Sequence, residues 1–150
     1  MNMEELNLSS MEEILLYAIN QENEAGLFYA KEAKRTSKIE LKMIWEQLSH
    51  DEVRHKAILS SLLENLKEED QQISYSSKEV TNYTAIDIPE KEYTDIENAI
   101  ILAINNENDA YFLYKHLADK VSNLTHKKVL ETLAYEELKH RESLVIELNA

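Results

Sequence analysis

The chain has no cysteine, and glycine and proline occur once each in its 150 residues. Without cysteine there can be no disulfide, zinc–thiolate knuckle, rubredoxin-type iron site or cysteine nucleophile. The same absence fits a reducing compartment, so a cytoplasmic location is expected. Scarce glycine and proline, beside abundant Glu, Lys, Leu, Ile and Ala, favour helix. Positive charge is also scarce: 16 Lys and Arg face 29 Asp and Glu, for a formal net charge of −13. That balance argues against nucleic acid as a partner, because phosphates need Lys and Arg to neutralise them. It could also concentrate cations near the surface. No stretch approaches the ~20 consecutive apolar residues of a membrane span. The acidic start, MNMEELNLSSMEE, lacks the apolar run of a signal peptide. One domain, residues 1–150, is expected.

What is present is a pattern of four amphipathic helices. Ser10-x-x-Glu13 reads as a capping box opening a helix over about 10–35. Its inward stripe is Met11, Leu15, Ala18, Glu22, Ala25, Tyr29 and Ala33. Ser37-x-x-Glu40 opens a second, about 38–67, with Leu41, Ile44, Trp45, Leu48, Glu52, His55, Leu59 and Leu63 inward. Thr94-x-x-Glu97 opens a third, about 94–120, with Ile100, Ala103, Glu107, Ala110, Tyr114 and Ala118. Ser122 or Asn123 caps a fourth, about 124–149, where Leu133, Glu137, His140, Leu144 and Leu148 share a face. Residues 68–93, rich in turn formers and β-branched residues and containing Pro89, do not continue a helix. The loops at 36–37 and 121–123 leave room only for antiparallel hairpins. A helix of ~27 residues is roughly 40 Å long, and an extended connection of ~26 residues can run that height. The expected fold is all-α: a ferritin-like four-helix bundle of two antiparallel helical hairpins joined by a long crossover.

The two halves repeat at an offset of 85 residues. AINQENEAGLFY (18–29) lies over AINNENDAYFLY (103–114), and WEQLSHDEVRH (45–55) over LETLAYEELKH (130–140). The polar residues kept in both copies are Glu22, Glu52 and His55 in one, Glu107, Glu137 and His140 in the other. In a tight hairpin, residues equally far from the turn are level. Glu22 and Glu52 each lie 15 residues from Ser37, and Glu107 and Glu137 each lie 15 from Ser122. The i, i+3 step from glutamate to histidine keeps both on one face. Six polar groups therefore converge at one height in the core.

Burying an unpaired carboxylate costs several kcal/mol, and four together repel one another. No Lys or Arg lies on the inward stripes to compensate. A folded domain has only about 5–15 kcal/mol to spare. Two divalent cations would balance four carboxylates, with neutral imidazoles completing the coordination. Glu from each of two helices and Glu-x-x-His from the other two is the ligand pattern of di-iron and di-manganese bundles. The competing readings are exposed ion pairs or protonated core carboxylates. A single Glu-x-x-His is usually a surface pair; two, each level with a glutamate inside a repeat, specify a site.

These motifs, A-I-x-x-E-x-x-A-x-x-F-Y read as AINQENEAGLFY and L-x-x-x-E-x-x-H read as LSHDEVRH, resemble those of the ferritin-like superfamily, and in particular single-domain rubrerythrin-like proteins. The resemblance implies that Glu22, Glu52, His55, Glu107, Glu137 and His140 hold two iron ions. Glu52 and Glu137 would bridge them, with Glu22 and Glu107 terminal. It implies a diferrous centre reacting with hydrogen peroxide or O2, as a peroxidase or ferroxidase active in oxidative stress, in a homodimer. Two departures carry consequences. Lacking cysteine, the chain has no rubredoxin domain, so its electron donor would be a separate partner such as a rubredoxin. Ala110 stands where rubrerythrins usually place a further glutamate, which moves the site towards the six-ligand set of bacterioferritin-type ferroxidase centres. Bacterioferritins bind haem through a methionine beside the second-helix glutamate; Val53 stands there, so no haem is expected.

Tyr29 and Tyr114 lie seven residues after Glu22 and Glu107, on the same faces. Each is a candidate catalytic residue, as a hydrogen-bond donor to a ligand carboxylate or a redox relay, or else a core tyrosine satisfied elsewhere. Asp51 and Glu136, each preceding a ligand glutamate, are candidate partners for histidine nitrogens, though they lie ~100° round the helix. His50, His116 and His126 read as surface residues, and Glu68-Glu69-Asp70 as solvated linker. The alternatives to an oxidoreductase are an Fe(II)-binding or storage protein without turnover, a di-manganese catalase-like protein at the same ligands, and a helical interaction module whose polar core sets register.

Overall fold

A computed structural model describes residues 6–77 and 88–150. Residues 1–5 of the acidic start and 78–87 of the expected crossover lie outside the described residues. Four helices are formed: α1 (Met11–Arg35), α2 (Ile39–Glu64), α3 (Asp95–Lys120) and α4 (Leu124–Leu148). The caps largely account for where they start. Thr94 and Glu97 form the full reciprocal box at α3. At α1 the Ser10 hydroxyl accepts from Glu13 N, but the Glu13 carboxylate accepts from Ser9 N instead of Ser10 N. Asn123 caps α4, accepting from His126 N.

The box expected at Ser37-x-x-Glu40 does not form. Helix α2 begins one residue later, so the cap position falls on Lys38, whose side chain cannot accept a hydrogen bond. Its ammonium instead lies 3.1 Å from Glu147 Oε1, tying the start of α2 to the end of α4. The other end of α2 is also shorter than expected. It stops at Glu64 because Asn65 turns its side-chain amide onto Ser61 O at 2.8 Å, competing with the helical ladder.

Helix α1 packs along α2 and α3 along α4, giving the two hairpins. The acidic run after α2 is not all solvated. Glu68–Asp70 form a 3-10 turn. Asp70 is 2% exposed and accepts from both the backbone N and the hydroxyl of Ser122, at 2.9 and 2.8 Å. The crossover thus begins by pinning the α3–α4 loop. It then pairs β2 (Tyr75–Ser76) antiparallel with β1 (Asn7–Leu8), a two-residue ladder no sequence period announces. Among the described residues, no helix is long and apolar enough to cross a membrane.

The core lies in two apolar clusters. One gathers Ile14, Leu15, Leu59, Tyr114, Leu117, Leu130 and Leu133. The other gathers Tyr29, Leu41, Trp45, Leu48, Ile100, Ile104 and Leu144, with Tyr29 stacked on Trp45 at 5.5 Å. Along every helix the six conserved-in-repeat polar residues fall between the two clusters. On α2 the inward residue near the C-terminus is Leu62, with Leu63 only half-buried.

Replacing Asp70 with Ala removes both bonds to Ser122 and should destabilise the fold by about 1–3 kcal/mol, roughly 3–10 °C in Tm. Thermal unfolding followed by circular dichroism measures this. An unchanged Tm would contradict an anchoring role for Asp70.

Candidate metal centre

The polar layer is assembled by all four helices. Glu22 comes from α1, Glu52 and His55 from α2, Glu107 from α3, Glu137 and His140 from α4; none is more than 8% exposed. Both imidazoles turn Nδ1 inward. His55 Nδ1 lies 2.7 Å from Glu137 Oε1, 3.6 Å from Glu22 Oε2 and 3.8 Å from Glu52 Oε2. His140 Nδ1 lies 3.3 Å from Glu52 Oε1, 3.4 Å from Glu107 Oε2 and 3.9 Å from Glu137 Oε1. Two sets of four donors result: Glu22, Glu52, His55 and Glu137, then Glu52, Glu107, Glu137 and His140. Within each set the donor atoms lie within 4.8 Å of one another, and Glu52 and Glu137 belong to both.

Several inward atoms have no partner. Glu22 Oε2, Glu52 Oε1, Glu137 Oε1 and His55 Nδ1 are buried without a hydrogen bond. The 2.7 Å approach of His55 Nδ1 to Glu137 Oε1 lacks hydrogen-bond alignment, and both atoms remain bare. Buried donors and acceptors are almost always satisfied, so bare lone pairs aimed at a common point need a cation or protons. The donors, carboxylate oxygens and imidazole nitrogens, suit first-row divalent metals such as Fe(II) or Mn(II).

The outward atoms, by contrast, are held. Tyr29 donates to Glu107 Oε1 at 2.5 Å and Tyr114 donates to Glu22 Oε1, each across the bundle between α1 and α3. The two tyrosines come from opposite apolar clusters, so the polar layer is clamped from above and below. His140 Nε2 lies 2.9 Å from Asp51 Oδ2 and His55 Nε2 lies 3.1 Å from Glu136 Oε1. The ~100° offset that counted against Asp51 and Glu136 within their own helices points each towards the histidine of the other hairpin. Arg54, which spacing does not single out, bonds Glu136 on the outer face. His50 is exposed, as expected. His116, read as a surface residue, is half-buried, with Nε2 2.8 Å from Ser74 O and its ring against Tyr75. His126 is half-buried at the start of α4. Neither belongs to the donor sets.

Electrostatics without metal shows the load on the cluster. Burial pushes Glu137 well above the ordinary carboxylate range, helped by the charge of Glu107 and by the hydrogen bond Glu137 gives it. Glu22 is also raised by burial, despite the opposing His55 and the Tyr114 hydroxyl. Burial would raise Glu107 too, but hydrogen bonds with Glu137, His140 and Tyr29 outweigh it and hold it low. Burial would lower His140, yet Glu107 and Asp51 prevail and raise it. Both phenols are pushed well above their usual value, first by burial, then by Glu107 for Tyr29 and by Glu22 for Tyr114. They therefore stay protonated as donors.

These shifts fix a sign. A carboxyl raised on folding favours the fold below the ordinary carboxylate range and opposes it increasingly up to its raised value. A raised histidine likewise contributes below its unfolded value and loses that contribution as pH rises through the folded one. The metal-free chain should therefore melt higher at pH 5.5 than at pH 7.5. Glu137→Gln should flatten that slope more than a one-unit change in net charge does, and raise Tm at pH 7.5 by about 1–3 kcal/mol equivalents, roughly 3–10 °C. Added divalent metal should reverse the order, since bound metal displaces those protons. Scanning calorimetry at the two pH values decides; a metal-free Tm that climbs from pH 5.5 to 7.5 contradicts the picture.

Residues 13–147 match the family described as Rubrerythrin. No curated protein matches the chain. A protein of Thermotoga maritima, provisionally described as a ferritin-like diiron-carboxylate protein, superposes with a TM-score of 0.76 at 19% identity, over 95% of this chain and 96% of that one. A hypothetical protein from Pyrococcus furiosus superposes with a TM-score of 0.73 at 23% identity, over 92% of this chain and 87% of that one. At these identities the likeness shows the fold, which is ferritin-like. With four helices in that arrangement, a buried Glu/His cluster able to bind metal and a family match spanning nearly the whole sequence, the chain belongs to the rubrerythrin family.

Proposed function

We propose that the chain is a di-iron carboxylate oxidoreductase. The observation that supports this most is the pair of donor sets sharing Glu52 and Glu137, with bare atoms turned inward. Glu22, His55, Glu52 and Glu137 would hold one ion; Glu107, His140, Glu52 and Glu137 would hold the other. A bound diferrous pair supplies two electrons for the reduction of hydrogen peroxide or O2.

The chain's own residues prepare that chemistry. Tyr114 and Tyr29 occupy one oxygen each of Glu22 and Glu107, which leaves the other oxygen of each facing the layer. Asp51 and Glu136 take the outer nitrogens of the histidines, which fixes the inner nitrogens as lone-pair donors. The apolar clusters on both sides exclude bulk water and lower the local dielectric. Ala110 is half-buried against one of those clusters, so no carboxylate stands one turn beyond Glu107. This favours the six-donor set. No haem enters this reading. With no cysteine, electrons for repeated turnover would come from a separate donor, in a cytoplasmic setting and with the chain acting as a homodimer.

Metal analysis of the purified protein, followed by anaerobic Fe(II) titration and separate stopped-flow challenge with peroxide and O2, tests the proposal. About two Fe per chain should bind and oxidise in a visible-absorbing reaction. The faster oxidant distinguishes peroxidase from ferroxidase, and Mn on purification would favour catalase-like chemistry. Glu52→Ala or Glu137→Ala should abolish the pair, whereas Glu22→Ala or Glu107→Ala should lower the stoichiometry towards one. Tyr29→Phe or Tyr114→Phe should weaken Fe(II) binding several-fold without unfolding the chain. A protein that takes up no Fe(II) sinks the proposal.

A further inference from the structure

The two halves of the chain are not treated alike on the outer face of the centre. The 85-residue offset relates Asp51 to Glu136 and Arg54 to Lys139. Symmetry would set Arg54 on one acid and Lys139 on the other. Instead, Arg54 bonds Glu136 Oε1 and also lies 3.7 Å from Asp51 Oδ1. Lys139 turns away, its ammonium 5.3 Å from the centre of the Tyr135 ring.

Arg54 thus joins two pairs that cross between α2 and α4, His55 with Glu136 and His140 with Asp51. Gln47 adds one bond to the same Asp51 Oδ1, at 3.0 Å. Both contacts are made by one nitrogen, Nη2, as a hydrogen bond to Glu136 and a longer ion-pair approach to Asp51; a delocalised guanidinium is not equivalent to an ammonium, a compact point charge. An acid at Nε2 selects the Nε2–H tautomer and leaves Nδ1 with its lone pair. The two rings stack at 5.9 Å between centroids and 19° between planes, so they share one slot. The Arg54 side chain is 49% exposed, and exposed ion pairs contribute little to stability. Its geometry therefore does more for ring orientation than for holding the fold.

We propose that Arg54 is a positioning residue that spans both acid–imidazole pairs and keeps both Nδ1 atoms aimed at the carboxylate layer. As a device for a metal centre it rests on the di-iron reading above, but ring orientation can be read without metal. In the metal-free full-length chain, at an alkaline pH where both imidazoles are neutral, long-range proton–nitrogen NMR should show His55 and His140 as Nε2–H tautomers. Arg54→Ala should mix the tautomers of both rings and weaken anaerobic Fe(II) binding about 10–100-fold, the range for losing an outer partner of a metal ligand. Arg54→Lys keeps the charge but not the guanidinium. It should disturb one ring more than the other, with an intermediate affinity, and it carries the test should Arg54→Ala fail to fold. Lys139→Ala should match the wild type. Unchanged tautomers in Arg54→Ala overturn the proposal. So does weaker Fe(II) binding with unchanged tautomers, since that would be a long-range charge effect. A wild-type chain that binds no Fe(II) would instead fail the di-iron reading, while the NMR comparison would still decide the role of Arg54.

Discussion

Four carboxylates buried at one height constrain everything else in this bundle. Glu22, Glu52, Glu107 and Glu137 each leave solvent almost completely. Among the described residues, the imidazoles turned into their layer are those of His55 and His140. An arrangement so costly without a counter-charge persists only if something offsets it. In the metal-free chain the offset is protonic: Glu137 and Glu22 are raised, and Glu137 hydrogen-bonds Glu107. Divalent cations would offset it more fully, because they neutralise the charge and satisfy the bare lone pairs together. Placing the layer between two apolar clusters makes the protein's stability and its capacity for metal parts of one balance.

The internal repeat explains how a short chain builds such a layer. Each hairpin supplies a level pair of glutamates and one histidine. The contacts that orient these groups run between the hairpins: Tyr29 to Glu107, Tyr114 to Glu22, His140 to Asp51 and His55 to Glu136. Neither half can complete the layer alone. The docked hairpins and the completed layer therefore depend on the same contacts, and what stabilises one should stabilise the other.

Much of this could be read from the residues. The helices begin and end within a few residues of the capping and turn signals, and the level pairing of Glu22 with Glu52 and of Glu107 with Glu137 follows from helix rise and loop length alone. What could not be read depends on the other hairpin. Asp51 and Glu136 look misdirected on their own helices because their partners lie on α4 and α2 respectively. Arg54 looks like any surface arginine until both acids are seen beside it. Asp70 sits in a run of three acids, and only the position of Ser122 shows that it is buried. At Ser37 the local signal was real, but a one-residue shift moved the cap to Lys38, whose ion pair with Glu147 links α2 to α4.

The most direct measurement is anomalous X-ray scattering at the iron edge from crystals of the chain loaded anaerobically with Fe(II). A shared carboxylate layer predicts two iron peaks about 3.5–4 Å apart, both between Glu52 and Glu137, one on the His55 side and one on the His140 side. A single peak at full loading, or iron bound only at surface carboxylates, would contradict it.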